Sequence, residues 1–286
     1  MPSLNETEPD TTAARTALWR ALHKAIDSPP YVFEDDIGLK LLNPGPDWLS
    51  RGDMDPGFTR PFRASIVARA RFMEDLAIDQ ATHGVSQYVI LGAGLDSFAQ
   101  RNPEIGTRLN VFEIDRPGTQ QWKRDRLAGL GLHVPRWLHF VPVDFEQGES
   151  WWESLVAAGF DPAKAALVVS TGVSMYLTRS TNELTLRRAA RLAPGSTFAM
   201  TFLVPTALAD PAVRPGLEMA VNAAKANGTP FLSFYIPEDI VALAQDAGFR
   251  SAQHVSGDEL AKRYFANRSD RLRPPNNAEE LLVART

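Results

Sequence analysis

A doubly wound α/β fold, with a mostly parallel sheet and helices on both faces, is predicted by three features of this sequence. Short apolar runs alternate with amphipathic segments between Tyr88 and Phe202, the first run breaks into a Gly-x-Gly turn, and the next two each end at an acidic residue. With 286 residues, 44% of them hydrophobic, the chain suffices for one such domain with an N-terminal addition.

The elements follow in chain order. Ala14, Leu18, Ala21, Leu22, Ala25 and Ile26 recur at helical spacing, and Ser28-Pro29-Pro30 ends that segment. The Pro- and Gly-rich stretch 43–58 reads as an irregular connection, and a second helix is expected from about Phe62 through Ile66, Met73, Leu76 and Ala77 to His83. Because these helices precede the first strand they are not crossovers, yet their apolar stripe must be buried. Residues 1–62 are therefore expected to form a helical lid over the carboxyl edge of the sheet, with the sheet domain at 63–286.

Strands are expected at 88–91, 111–114, 140–143, 166–170 and 197–202, apolar almost throughout as strands covered on both faces are. Amphipathic segments at 118–130, 150–158 and 180–192 supply the crossovers. The tail reads as a helix at 237–247, a strand at 250–255, a helix at 258–265 and a last strand at 281–284, all joining one continuous sheet.

Composition removes several function classes. A formal net charge of −4 gives no general attraction for nucleic acid, and the arginines at Arg187, Arg188 and Arg191 and at Arg268, Arg271 and Arg273 read as a solvated helix face and a charged loop. Cysteine is absent, which excludes disulfides, thiol nucleophiles and thiolate metal sites. Residues 1–10 are polar and acidic without the apolar core of a secretory signal, and no run approaches the roughly 18 apolar residues that cross a bilayer. A cytoplasmic protein without membrane or nucleic-acid partners is expected. The oligomeric state is not legible.

The sharpest motif is Val89-Ile90-Leu91-Gly92-Ala93-Gly94-Leu95-Asp96, a strand running into a glycine turn where open α/β sheets bind ligands. The third glycine of a dinucleotide fingerprint is missing, since Ser97 stands at that place. Asp115 lies 21 positions past Gly94, at the end of the second strand, where a carboxylate accepts hydrogen bonds from ribose hydroxyls. Glu113 is expected on the same strand face, behind it. After the third strand, Asp144 can accept from an adenine amino group while Phe145 lies against the ring. Taken singly, a strand-end aspartate is a helix cap or a solvated carboxylate. In sheet order the three features describe a nucleoside cofactor site.

The runs at 87–101 (QYVILGAGLDSFAQR), 111–127 (VFEIDRPGTQQWKRDRL), 141–145 (VPVDF) and 172–178 (GVSMYLT) resemble the leucine carboxyl methyltransferase-like family of class I methyltransferases, in particular its bacterial branch. The likeness continues upstream at 20–23 (RALH), 27–30 (DSPP) and 68–75 (ARARFMED) and downstream at 264–272 (YFANRSDRL), covering nearly the whole chain. It implies a Rossmann-like sheet, S-adenosyl-L-methionine as cofactor, and O-methylation, commonly of carboxylates. By the same resemblance Arg69 matches the arginine that grips the cofactor carboxylate, Gly92 and Gly94 the glycine turn, Asp115 the ribose ligand, and Asp144 with Phe145 the adenine contacts. Ala93 and Asp96 belong to that turn. Where eukaryotic relatives carry an acidic residue after the fourth strand this chain has Ser170-Thr171-Gly172, so Thr171 offers only a hydroxyl and a preference for a protein's C-terminal leucine is not carried over.

For the acceptor, His23 in the N-terminal helix is either a base facing the methyl group or a structural histidine. Tyr176 either lines the acceptor pocket or is a core tyrosine. The other histidines, His83, His133, His139 and His254, show no metal-binding spacing, and phosphate-loop and serine-elbow motifs are absent. The expected activity is S-adenosylmethionine-dependent O-methyl transfer to a small-molecule carboxylate or hydroxyl. The alternatives are a cofactor-binding protein of the same fold without turnover, or a nicotinamide-dependent oxidoreductase, which lacks here its third glycine and a Tyr-x-x-x-Lys pair.

Overall fold

The computed structural model describes residues 11–145 and 150–286. The stretch 1–10, read above as polar and without a signal core, lies outside them. In chain order the elements are α1 (Thr11–Ile26), α2 (Ile37–Leu42), α3 (Pro56–Thr82), β1 (Gln87–Leu91), α4 (Phe98–Arg101), β2 (Asn110–Asp115), α5 (Pro117–Gly129), β3 (Leu138–Pro142), α6 (Trp151–Ala157), β4 (Ala166–Ser170), α7 (Arg179–Ala189), β5 (Thr197–Leu203), α8 (Arg214–Ala226), α9 (Pro237–Ala247), β6 (Ser251–Val255), α10 (Gly257–Tyr264) and β7 (Glu279–Arg285).

The strands form one seven-stranded sheet in the order β3-β2-β1-β4-β5-β7-β6. The pairs among β1 to β5 are parallel, and β7 runs antiparallel to both β5 and β6. The strand order reverses at β1, so the crevice of the doubly wound sheet opens beyond β1 and β4. Side-chain alternation splits the core between two faces. Val89, Leu91, Phe112, Ile114 and Val168 pack with Leu155 and Leu186, while Tyr88, Ile90, Val111 and Val169 pack with Ala64, Phe72, Ala77 and Leu260. Phe112, Phe198 and Leu155 are almost wholly buried, and each such side chain stabilises the fold by about 1.5–3 kcal/mol.

Three expectations are corrected. The second helix begins at Pro56, not near Phe62: Pro56 occupies the first turn and the Asp55 carboxylate accepts from Phe58 N–H at 2.7 Å. Pro61, inside the helix, forfeits one helical bond toward Gly57. The boundary at 62 thus falls inside a continuous 27-residue helix: Phe62 and Arg63 meet Trp19 of α1 and Asp27 just after it, the segments that together form a cover, while Phe72 and Ala77 pack against the sheet. Next, α8 lies where no element was expected, and of its residues only Leu217 is buried. Finally, Arg268 is not solvated: its side chain is 4% exposed and bonds Asp270 and the Ser28 carbonyl oxygen. Among the described residues no helix is long and apolar enough to cross a membrane.

Candidate functional site

The register of the sheet gathers its carboxyl ends. Leu91 stands opposite Ile114 and Ser170, and Asp115 opposite Pro142, so the residues leaving β1, β2, β3 and β4 surround one hollow. Gly92 N–H and Ala93 N–H both donate to the Ile114 carbonyl, at 2.8 and 3.0 Å, which folds the chain sharply back. Gly92 has φ +69°, and a Cβ there would stand 2.4 Å from Val173 Cγ2. Backbone conformation and close approach both demand glycine.

Gly94 N–H donates to Asp115 Oδ2 at 2.6 Å, and Arg116 N–H donates to Oδ1 at 2.8 Å. Burial pushes the Asp115 carboxyl above its usual range, against these two donors. Asp96 Oδ1 accepts from Phe98 N–H at 2.8 Å and so starts the short α4. Gly172 N–H, just after β4, donates to Thr201 Oγ1 at 2.8 Å and ties that loop to β5.

A cavity of about 600 Å³ occupies the hollow. Arg69, Gly92, Ala93, Gly94, Asp96, Asp115, Asp144, Phe145, Thr171 and Tyr176, all singled out in the sequence, line it. Arg69 reaches it from α3 and forms an ion pair with Glu279 at the start of β7. Tyr176 packs edge-on against Phe231, with ring centroids 5.2 Å apart, and its hydroxyl lies 3.5 Å from Thr12 Oγ1 of α1.

Two singled-out residues are placed elsewhere. Glu113, 1% exposed, pairs with Lys123 of α5 and does not line the cavity. Burial drives its carboxyl up to about 7 although Lys123 opposes the shift. The expectation that Glu113 faces a cofactor is corrected by that pairing. His23 is fully buried; its Nε2 accepts from Val32 N–H at 3.0 Å, which leaves the ring proton on Nδ1 to donate to Asp27 Oδ2 at 2.8 Å. With both nitrogens engaged and the ring outside the cavity lining, His23 is a bolt within the cover, and its nomination as a base is corrected.

The cover is held by ion pairs between distant segments. Arg63 of α3, 1% exposed, grips Asp27 through Nε to Oδ2 and Nη2 to Oδ1, both at 2.8 Å. Burial alone would raise the Asp27 carboxyl, but Arg63 and His23 outweigh it and hold the group below its ordinary range. Arg20 of α1 donates to Asp35 at 2.7 Å and to the Leu95 carbonyl oxygen at 2.7 Å, and Asp35 also accepts from Ser97 Oγ. Through Arg20 the cover is fastened to the loop just beyond the glycine turn.

Sequence reasoning missed the cavity's upper wall: Arg15, Trp19 and Arg20 of α1, Phe62 of α3, Leu217 of α8, and Phe231. The apolar stripe of α1 marks only the face that packs inward through Ala17, Leu18, Ala21 and Leu22. The opposite signal, Thr12, Arg15, Thr16 and Trp19 at helical spacing, looks like an ordinary wet face until the sheet is placed beneath it.

The leucine carboxyl methyltransferase family model matches residues 13–190. The protein YktD of Bacillus subtilis (strain 168), whose name includes the words S-adenosyl-L-methionine-dependent methyltransferase, is 31% identical over 94% of this chain and 95% of its own length. A Mycobacterium sp. (strain KMS) protein whose name includes the same words is 35% identical over 70% of this chain and 68% of its own. Among solved structures, a DUF574 family protein from Streptomyces avermitilis shares the fold with a TM-score of 0.61 at 15% identity, covering 98% of this chain and 99% of that one. With the glycine turn, the strand-end carboxylates and this match along most of its length, the chain belongs to the leucine carboxyl methyltransferase family, S-adenosylmethionine-dependent methyltransferases on the class I fold.

Proposed function

We propose that this chain transfers a methyl group from S-adenosylmethionine to an oxygen, carboxylate or hydroxyl, of a small-molecule acceptor. The observation that carries the reading is the single cavity in which the strand-end residues run on into a compartment walled by Trp19, Phe62, Leu217 and Phe231. Its volume of about 600 Å³ lies within the range of small-molecule sites.

The residues fit the cofactor. Each Asp115 oxygen takes one backbone N–H and keeps a lone pair for a ribose hydroxyl. Asp144 and Phe145 flank the adenine position, the backbone at Gly94 allows close approach, and Arg69 suits a carboxylate. When bound, the cofactor supplies an electrophilic methyl on a cationic sulfur. The chain's own part is to orient the acceptor and exclude water, which is the task of α1 and α8.

One feature favours a carboxylate over a hydroxyl acceptor. Among the described residues no histidine lines the cavity, the carboxylates of Glu74 and Glu279 on its wall are paired with Arg101 and Arg69, those of Asp96 and Asp115 accept from backbone N–H groups, and Asp144 has a partner as well. A carboxylate acceptor is ionised at neutral pH and needs no base.

Thermal unfolding with S-adenosylmethionine, S-adenosylhomocysteine and NAD tests the cofactor, and labelled-methyl transfer to a panel of organic acids and alcohols tests the acceptor. The first two ligands should raise Tm and NAD should not. Stabilisation by NAD alone, or transfer only to amines, overturns the reading.

A further inference from the structure

Five arginines line the cavity: Arg15, Arg20, Arg69, Arg101 and Arg116. Arg20 is held by Asp35, Arg69 by Glu279 and Arg101 by Glu74, and Arg116 also has a partner. Arg15 differs. Among the described residues it has no ion-pair partner, and it lies over the Trp19 ring, whose centre is 5.6 Å from the guanidinium carbon.

The position of Arg15 is bracketed on three sides. One turn before it, Thr12 Oγ1 lies 3.5 Å from the Tyr176 hydroxyl. Beside Thr12, the Cβ of Ala13 comes within 3.3 Å of where a Cβ on Gly94 would stand. One turn after it, Trp19 stacks on Phe62 with ring centroids 6.1 Å apart. Arg15 therefore sits between the glycine turn and the apolar wall of the acceptor compartment. A guanidinium there is partly stripped of water and has no counter-charge among the described residues, a cost that an anionic ligand removes. Its planar fork matches a carboxylate in two parallel hydrogen bonds.

We propose that Arg15 recognises the acceptor, and that the acceptor is a small organic acid whose carboxylate meets this guanidinium while its apolar body lies against Phe62, Leu217 and Phe231. The proposal rests on reading the cavity as the methyl-transfer site. The competing structural role, in which Arg15 only braces α1 through Trp19, predicts no discrimination between charged and neutral acceptors.

The test uses the full chain loaded with S-adenosylhomocysteine and titrated with decanoate and phenylacetate, each against its uncharged amide, by calorimetry or ligand-observed NMR. The wild type should bind at least one acid roughly tenfold to hundredfold more tightly than its amide, the usual worth of a charge-assisted hydrogen bond. Arg15→Gln should erase that preference without changing S-adenosylhomocysteine affinity, and Arg15→Lys, which keeps the charge but not the fork, should keep only part of it. Equal binding of acid and amide by the wild type, no saturable binding of either acid, or a full preference in Arg15→Gln overturns the assignment. So does a loss of S-adenosylhomocysteine binding in Arg15→Gln, which would make Arg15 a cofactor ligand. If the wild type fails to bind S-adenosylhomocysteine at all, the methyl-transfer reading itself falls.

Discussion

On the floor of the cavity, position is set by the main chain: Gly92 and Ala93 donate to Ile114, Gly94 donates to Asp115, and the strand register does the rest. In the cover, position is set by long side chains: Arg63 to Asp27, Arg20 to Asp35, Arg268 to Asp270 and to the Ser28 carbonyl oxygen. Backbone bonds between neighbouring strands leave little freedom, so the floor keeps one shape. The cover depends instead on a few side-chain pairs between separate segments, so losing one of them can loosen the cover while the floor stays intact.

The largest expected effect breaks the cover. Arg63→Met leaves Asp27 buried with its strongest partner gone, and removing one member of a buried pair costs about 3–5 kcal/mol. Urea unfolding should show that loss, with faster proteolysis within α1, while S-adenosylhomocysteine still binds. If affinity falls as far as stability, floor and cover are one unit and the contrast is wrong. Breaking the floor comes next. Gly92→Ala combines a left-handed residue with a Cβ 2.4 Å from Val173 Cγ2, and the two together cost about 2–4 kcal/mol. Cofactor binding should be lost along with stability, and adding Val173→Ala should recover only the steric share. Full recovery would show that φ at Gly92 is immaterial.

The same contrast explains what was legible in the sequence. The glycine turn, Asp115, Asp144 and Phe145 are readable because local backbone geometry and strand ends leave marks within a few residues. The partner of Arg63 is 36 positions away and that of Arg69 is 210, so nothing local announces them. Glu113 and His23 were misjudged for a related reason: each is a chemically versatile residue near the site, and only the tertiary neighbours, Lys123 and Val32, show that its capacity is already taken. In α8 Leu217, Ala220, Val221 and Ala224 recur at helical spacing, but three of the four are small and only Leu217 is buried, so the stripe is faint. Fold class depends on periodicity and survives such gaps, whereas the acceptor compartment depends on which face of α1 meets the sheet.

Within the floor, Asp115→Ala should weaken S-adenosylhomocysteine binding by about 1–3 kcal/mol, the range for a lost charge-assisted bond. Unchanged affinity by calorimetry would remove Asp115 from the ribose. Below it, the Glu113 carboxyl titrates near 7 in the folded chain against an ordinary 4.5. The folded state holds that proton more tightly, so this contribution to stability is complete below pH 4.5 and is lost as pH rises towards 7. The slope it adds is at most about 1.4 kcal/mol per pH unit. Glu113→Gln combined with Lys123→Met should flatten the stability profile over that window, and an unaltered slope would assign it to another group.

The smallest effect lies where floor and cover meet. Arg69 comes from α3, Glu279 from β7, and their ion pair joins the two halves at the cavity wall. If Arg69 receives the cofactor carboxylate, Glu279 presents a second carboxylate to the same guanidinium. Two anions sharing one cation repel, and at a partly exposed site that repulsion is screened to about 0.5–1 kcal/mol. Glu279→Gln should therefore tighten S-adenosylmethionine binding by a few-fold, whereas Arg69→Lys, which keeps charge but loses the planar fork, should weaken it. The opposite result for Glu279→Gln, a loss parallel to that of Arg69→Lys, would mean that Glu279 aims Arg69 instead of competing for it. Raising the salt concentration separates the two cases, because competition between charges fades with screening while the loss of an aiming contact does not.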